Sequence, residues 1–267
     1  NGDGIPDVIL APASKGKPLV QIYNGFTGQL ERNFFAYSPG FWGGVTLATG
    51  DVNGDGHPDI ITGTGLGGLP IVNVFDGRTD RLIRSFFAYE TAFTGGVNVA
   101  SGDVNHDGKA DIVTGAGFGG GPRLEVFSGA NNAKLYDFYA FDPSFRGGIS
   151  VASADLDGDG HADLIAGTAF GAAGNIRTFN GSNGSMRGET FPNTDVPYST
   201  GVTLTTLDYD GDGLPDIVIS HKILFTRYGG AIFKGTDLTV IGGWGDLGDS
   251  QIQGPSGDYI AALNPAS

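Results

Sequence analysis

The chain has 267 residues, of which 48 are Gly and none is Cys, and its formal net charge is −14. Hydrophobic residues make up 39% of it, which argues against a disordered acidic protein. The acidic balance argues against nucleic acid as a partner, no apolar run reaches the ~20 residues of a membrane span, and the lack of Cys excludes disulfides and thiolate metal sites.

An acidic segment recurs along the chain at steps of 52, 52 and 53 residues. Its complete copies begin at Asp51, Asp103, Asp155 and Asp208, and a copy cut at its left edge opens the chain at Asn1. The remainder of the period repeats as well, including an aromatic motif such as Phe34-Phe35-Ala36-Tyr37. A register kept over five copies indicates a repeat architecture.

Within one period, short apolar segments bounded by Gly, Pro, Asn and Asp predict β-strands. In the second period these strands are Val45–Thr49, Asp59–Thr64, Ile71–Phe75 and Leu82–Tyr89. No segment keeps the apolar spacing of a helix over a helical length. Four short strands in each of five periods predict an all-β fold, a five-bladed β-propeller of four-stranded antiparallel blades.

The C-terminal segment 259–264 resembles the strand that precedes each acidic loop. We therefore expect it to complete the first blade and close the ring, which removes an exposed sheet edge. A solenoid is the alternative, but it would need a cap at both ends. Because the chain opens inside a repeat, we expect it to be part of a larger secreted protein. The predicted single domain spans 1–267, with blade 1 at 254–267 plus 1–40, blade 2 at 41–92, blade 3 at 93–144, blade 4 at 145–197 and blade 5 at 198–253.

The acidic loops contain the residues that are candidate metal ligands. With the first Asp of each loop as position one, oxygen-bearing side chains stand at positions one, three, five and nine, and Gly stands at position six. Alternate residues of a tight loop point the same way, and residue seven can add its backbone carbonyl. An all-oxygen set of this kind suits Ca²⁺ better than Mg²⁺. The predicted ligands are Asn1, Asp3, Ile5 and Asp7; Asp51, Asn53, Asp55, His57 and Asp59; Asp103, Asn105, Asp107, Lys109 and Asp111; Asp155, Asp157, Asp159, His161 and Asp163; and Asp208, Asp210, Asp212, Leu214 and Asp216.

Other calcium motifs fit less well. An EF-hand needs a Glu at position twelve and flanking helices, whereas position twelve is here Thr62, Thr114, Ala166 or Ile219. Solvated acidic turns without metal are a further alternative, which the fivefold register disfavours. The loops hold 16 of the 29 acidic residues, so we expect four or five Ca²⁺ ions with a mainly structural role. The first loop, which lacks a position-one Asp, should be the weakest site.

These features resemble the FG-GAP (VCBS-type) repeats that also build the Ca²⁺-binding propeller of integrin α-subunits. The loop, the period and the Phe-Gly pairs Phe118-Gly119 and Phe170-Gly171 carry the resemblance. It implies a propeller with Ca²⁺ in loops on one face, often in secreted or cell-surface proteins. Integrin propellers have seven blades and this chain offers five, so their partner surface does not transfer. The first two repeats also lack the Phe-Gly pair.

The resulting hypothesis is an extracellular, Ca²⁺-stabilised module that binds a protein or glycan ligand in adhesion or as a scaffold, without catalysis. No catalytic residues are predicted, because three of the four His lie inside the acidic loops and no nucleophile or zinc-protease motif is present. The alternative is a carbohydrate-active protein, a lectin or less readily a polysaccharide lyase. Phe41, Phe93 and Phe145 could stack on sugar rings, although packing between blades is the preferred interpretation. The residue that follows each of these Phe side chains differs between the repeats, and it is Trp42 in one and Arg146 in another.

Overall fold

The computed structural model describes residues 4–172, 174–191, 201–223 and 227–244, and this part of the chain contains strands and turns but no helix. The strands predicted for the second repeat are confirmed to within two residues. The fourth one ends at Phe87, two residues earlier than predicted. The reason is that Ala88 and Tyr89 leave the strand and turn inward, where both are buried and the Ala88 N–H donates to the Pro70 carbonyl at 2.9 Å.

Nineteen strands form five antiparallel sheets among the described residues. The first sheet holds β1 (Val8–Leu10), β2 (Leu19–Tyr23) and β3 (Leu30–Phe35), and the second holds β4 (Val45–Gly50), β5 (Asp59–Thr64), β6 (Ile71–Phe75) and β7 (Leu82–Phe87). The third holds β8 (Val97–Gly102), β9 (Asp111–Ala116), β10 (Arg123–Phe127) and β11 (Lys134–Tyr139). The fourth holds β12 (Ile149–Ala154), β13 (Asp163–Thr168), β14 (Ile176–Phe179) and β15 (Met186–Thr190), and the fifth holds β16 (Thr203–Leu207), β17 (Asp216–Ile223), β18 (Arg227–Phe233) and β19 (Val240–Trp244).

The sheets are the blades of a β-propeller. The first strands of successive blades contact one another, β4 with β8, β8 with β12 and β12 with β16, so these strands line the centre. The five-bladed all-β prediction is confirmed. The first blade shows three strands in the described part of the chain. Segment 259–264, which we expect to supply the remaining strand of this blade, ahead of β1, and to close the ring, lies outside the described residues.

The repeated aromatic motif packs one blade against the next. A Phe on the fourth strand of each of three blades lies against a Phe on the third strand of the following blade. The ring centroids are 4.6 Å apart for Phe34 and Phe75, 4.8 Å for Phe86 and Phe127, and 4.8 Å for Phe138 and Phe179. Apolar contact between blades therefore explains why these positions repeat every 52 residues.

A β-bulge stands at the same place in all five blades, where the third strand meets the fourth. The turn beside it contains a Gly, which we call the turn glycine: Gly25, Gly77, Gly129, Gly181 and Gly235. A Cβ on Gly129 would lie 2.2 Å from the carbonyl oxygen of Ala110, a residue of the acidic loop. Only Gly therefore allows the turn to lie directly against this loop.

The turn glycines also join neighbouring blades. A polar side chain on the fourth strand of one blade donates a hydrogen bond to the turn-glycine carbonyl of the next. The donors and acceptors are Arg32 Nη2 to Gly77 at 2.8 Å, Arg84 Nη2 to Gly129 at 2.8 Å, and Tyr136 Oη to Gly181 at 2.9 Å. Each such turn is thus held from two sides, by its own acidic loop and by the preceding blade.

Replacing Tyr136 by Phe tests this contact between blades. The variant leaves the buried Gly181 carbonyl without its donor, so we expect the free energy of unfolding to fall by about 0.5–1.5 kcal/mol. Urea denaturation measures the change. Tyr139→Phe is the matched control, because the Tyr139 side chain is exposed. Equal stability of the two variants would contradict this role for Tyr136.

Candidate metal sites

Loops two to five each fold around the carboxylate at position one. In loop three (103–111), Asp103 Oδ1 accepts the Asp107 N–H at 3.0 Å and Asp103 Oδ2 accepts the Gly108 N–H at 2.8 Å. Position three provides a second hydrogen bond within the loop, since Asn105 Oδ1 also accepts the Asp107 N–H. The bond from position six to position one recurs in loop two (51–59), loop four (155–163) and loop five (208–216).

Glycine at position six is required by the backbone angle. The φ values there run from 82° in Gly4 and Gly108 to 90° in Gly213. A Cβ on Gly56, Gly108 or Gly213 would meet no atom within 4 Å, so lack of space is not the reason for Gly. The left-handed conformation at position six turns the backbone back toward positions one to five, the turn that the sequence predicts for this Gly.

The Asp at position nine is buried in loops two to five. Asp111 is fully buried, and its Oδ2 accepts the N–H groups of Val104 at 3.0 Å and Asn105 at 3.1 Å. Its Oδ1 accepts the N–H of the turn glycine Gly129 at 2.9 Å. The same bond to the turn glycine forms in the other loops, from Gly25 to Asp7, Gly77 to Asp59, Gly181 to Asp163 and Gly235 to Asp216.

Burial makes these carboxylates costly to ionise. It raises the pKa of Asp59, Asp111 and Asp163 to about 6 each, against the opposing effect of the backbone hydrogen bonds that they accept. A cation bound beside them would favour the charged form. The loops are therefore better suited to holding positive charge than to standing without it.

Three carboxylates lie close together in each of the two loops with the most acidic residues. Ligand atoms of Asp155, Asp157 and Asp159 lie within 4.8 Å of one another, and so do those of Asp208, Asp210 and Asp216. Every donor is an oxygen, which fits a hard divalent cation such as Ca²⁺. The predicted residues Asn1 and Asp3 lie outside the described part of the chain.

The position-seven residues have a different visible role. In loops two to five the N–H of this residue donates to the position-five carboxylate, from His57 to Asp55, Lys109 to Asp107, His161 to Asp159 and Leu214 to Asp212, at 2.8–3.0 Å. Their side chains leave the loop. The His161 ring reaches the Val104 carbonyl of the neighbouring loop through Nδ1 at 2.9 Å, and it lies 5.4 Å from the ring of His106.

Two basic residues reach into the loops, and neither is among the residues predicted from the sequence. Arg187 pairs with Asp157 at 3.2 Å and with Asp163 in loop four. Lys234 pairs with Asp210 at 3.1 Å and with Asp212 at 2.8 Å in loop five, and these hydrogen bonds raise the pKa of its ammonium group. A signal was present for Lys234, since the other four repeats have Asn, Asp or Ser at this place.

The opposite ends of the strands form a second, apolar face. The loops between the second and third strands carry Leu66, Phe118 and Phe170 at matching places in blades 2, 3 and 4, and more than half of each side chain is exposed. The rings of Phe118 and Phe170 are 5.8 Å apart. Trp42 is similarly exposed beside Gly43, which lies against Leu66. We call these four residues the apolar row.

The aromatic residues that the sequence analysis considered for sugar stacking lie partly buried. Phe41 packs edge-on against Tyr37 with centroids 6.2 Å apart, and Phe93 against Tyr89 at 5.7 Å. Phe93 also packs against the core between blades 2 and 3. These contacts favour the packing interpretation for Phe41 and Phe93.

A model of the FG-GAP-like repeat family matches residues 1–62, 103–166 and 155–219, more than half of the chain. The chain belongs to the FG-GAP-like repeat family. Within these matches lie the acidic loops whose geometry is given above.

The chain is also similar in sequence to integrin alpha-subunits and to a phospholipase D. Chicken integrin alpha-V is 27% identical over 206 residues, and human integrin alpha-IIb is 25% identical over 221. Mouse phosphatidylinositol-glycan-specific phospholipase D is 30% identical over 154 residues. The matches cover 66%, 68% and 46% of this chain but only 20%, 20% and 18% of those relatives.

Solved structures support the fold. A protein of unknown function from Bacteroides caccae aligns with a TM-score of 0.53 and 11% identity, covering 90% of this chain and 73% of that one. The rhamnogalacturonan lyase YesW aligns with a TM-score of 0.53 and 16% identity, covering 92% and 49%. At these identities the likeness concerns the fold alone. No helix in the described part of the chain is long and apolar enough to cross a membrane.

Replacing Asp111 by Asn separates the structural role of position nine from metal binding. Asn keeps the shape but offers one acceptor oxygen, so its amide group must face a backbone N–H of Val104, Asn105 or Gly129. We expect a loss of about 1–3 kcal/mol in the free energy of unfolding, measured in chelator. Asp107→Asn is the control, because its side chain is exposed and its remaining oxygen can still accept the Lys109 N–H. Equal loss in both variants would contradict the assignment.

Proposed function

We propose that the chain is a Ca²⁺-stabilised propeller that acts outside the cell as a binding or adhesion module and performs no catalysis. The observation that carries the proposal is the division of the molecule into two faces. Acidic loops with converging oxygens occupy one face, and the apolar row occupies the other. One face thus suits a stabilising metal and the other suits a partner.

The calcium would be held by the carboxylates and amides at positions one, three, five and nine of the loops. Bound there, the ion supplies positive charge that offsets carboxylate repulsion. The position-nine Asp contacts both its loop and the turn glycine, and in three blades that glycine also accepts a hydrogen bond from the preceding blade. Stabilising the loop therefore also stabilises the packing between blades. Extracellular Ca²⁺ is millimolar, which would fill even weak sites.

A protein ligand is the partner that best fits the apolar row. Exposed aromatic side chains grouped on one face are unusual on a protein that has no partner, and they are enriched in protein interfaces. Similarity to integrin alpha-V and alpha-IIb supports adhesion as the setting. The phospholipase D relative is matched over 46% of this chain and 18% of its own length, and the activity in its name is not part of this proposal.

The calcium part is tested by melting the protein in millimolar CaCl₂, in millimolar MgCl₂ and in chelator. A ligand that binds the folded state alone at 100 times its Kd stabilises it by ~2.7 kcal/mol per site. We therefore expect a clear rise in Tm with Ca²⁺ and a smaller one with Mg²⁺. Equal melting temperatures in all three conditions would refute a stabilising role for calcium.

The binding part is tested on an array of purified extracellular matrix proteins, probed with the labelled propeller in Ca²⁺. We expect at least one saturable interaction, weakened at least tenfold in Phe118→Ser/Phe170→Ser because the apolar contact area is lost. Leu82→Ser is the control, an equally exposed apolar residue at the start of β7 near the loop face. Equal weakening by the control would refute this assignment of the partner surface.

A carbohydrate-active role is the second candidate, and one observation favours it. A cleft of about 210 Å³ lies between blades 3 and 4, lined by Val104, Asn105, Leu135, Tyr136, His161 and Ser182. Its mixture of apolar wall and hydrogen-bonding groups suits a small sugar unit. Binding on a glycan array that Ser182→Trp abolishes, with the matrix array negative, would favour this candidate.

A further inference from the structure

The four fully described acidic loops fall into two classes by the residue at position three. Loops two and three have an amide there, Asn53 and Asn105, and contain three carboxylates each. Loops four and five have Asp157 and Asp210, and contain four carboxylates each. The loops with the fourth carboxylate therefore carry one additional negative charge.

A basic side chain accompanies the additional carboxylate in both cases. Arg187 pairs with Asp157 at 3.2 Å, and Lys234 pairs with Asp210 at 3.1 Å. In loop two the amide nitrogen of Asn53 takes the place of a basic side chain, since it donates hydrogen bonds to the carboxylates of Asp55 and Asp59 at 3.2 Å each. Within the described residues, no basic side chain forms an ion pair with loops two or three. Lys109 of loop three only packs its carbon chain near Gly54.

The two basic residues reach their loops from different places in the blade. Lys234 precedes the turn glycine Gly235, where the other blades have Asn24, Asp76, Ser128 and Asn180. The side chains at those four positions accept N–H groups of the turn instead. Arg187 is the inserted residue of the bulge between β14 and β15, because Phe179 pairs with Met186 and Thr178 with Gly188. Two separate substitutions thus deliver one positive charge to each loop that has a fourth carboxylate.

We propose that Arg187 and Lys234 are tethered counter-ions, which occupy loops four and five in the absence of metal and which a divalent cation must displace. They thereby set the divalent-cation affinity of these two loops, an inference that rests on the proposed calcium sites. The side chains are 18% and 30% exposed, so each can swing toward solvent when the ion binds. The cost is the loss of two short ion pairs, which lowers affinity for the metal.

Loop five offers a probe of its own. Its position-two residue is Tyr209, whereas loops two, three and four have Val52, Val104 and Leu156 there. Tb³⁺, a luminescent substitute for Ca²⁺, emits when a nearby aromatic ring transfers energy to it. The emission that Tyr209→Phe removes belongs to loop five, and competition by Ca²⁺ then gives the affinity of that loop.

The decisive variant is Lys234→Asn, which installs the residue of blades 1 and 4 and removes the charge while keeping a turn-forming side chain. We expect Ca²⁺ to bind loop five about two- to fivefold more tightly, the range for loss of a partly exposed ion pair. Asp210→Asn alone should weaken binding, and Asp210→Asn/Lys234→Asn should return it close to the original affinity. Lys17→Met, an exposed charge on another blade, should leave it unchanged.

The outcomes separate this inference from the proposed function. Saturable Tb³⁺ emission with the same or weaker Ca²⁺ affinity in Lys234→Asn would overturn the counter-ion role and leave the calcium sites standing. Absence of Tyr209-dependent emission, together with equal melting in Ca²⁺ and chelator, would overturn both. In chelator, Lys234→Asn should also melt at a lower temperature than the original protein, and a higher one would count against the inference.

Discussion

The hydrogen bond from the turn glycine to the position-nine Asp is the contact on which the rest of the molecule depends. It forms in all five repeats and joins the first two strands of a blade to the last two. In three blades, a side chain of the preceding blade binds the carbonyl of the same glycine. One residue thus couples the acidic loop, the bulge and the next interface. Any side chain at that position would separate all three.

This coupling explains why the chain has so many acidic residues in its loops. In loops two to five the position-nine carboxylates are buried, which is costly for an anion, and the hydrogen bonds that they accept from backbone N–H groups offset only part of the cost. Positive charge supplied by a metal or by a basic side chain offsets more of it. The strong acidic bias and the close packing of the blades therefore have a common origin in the loop.

The sequence predicts what repeats and misses what does not. The strand bounds, the five blades and the converging loop carboxylates all follow from a pattern that five copies reinforce. Arg187 escaped prediction because its direction depends on a bulge, and a one-residue insertion in the pairing re-aims a side chain in a way that composition does not reveal. Ile83 and Leu135 hold the same place in blades 2 and 3 without reaching a loop carboxylate. The apolar row was missed for a similar reason, since exposure on a face requires the topology of the sheets.

Backbone hydrogen bonds between neighbouring loops all run the same way around the ring. The N–H at position eight of one loop donates to the position-one carbonyl of the preceding loop, from Ala110 to Asp51 and from Ala162 to Asp103, both at 2.8 Å. Proline has no N–H, so Pro58 and Pro215 cannot make this bond. Loops two, three and four are consequently joined to one another by these bonds. The prolines prevent the same bond between loops one and two and between loops four and five. A chain that reads as five equal copies therefore contains three consecutive loops joined by backbone hydrogen bonds, and proline withholds this bond from the loops on either side.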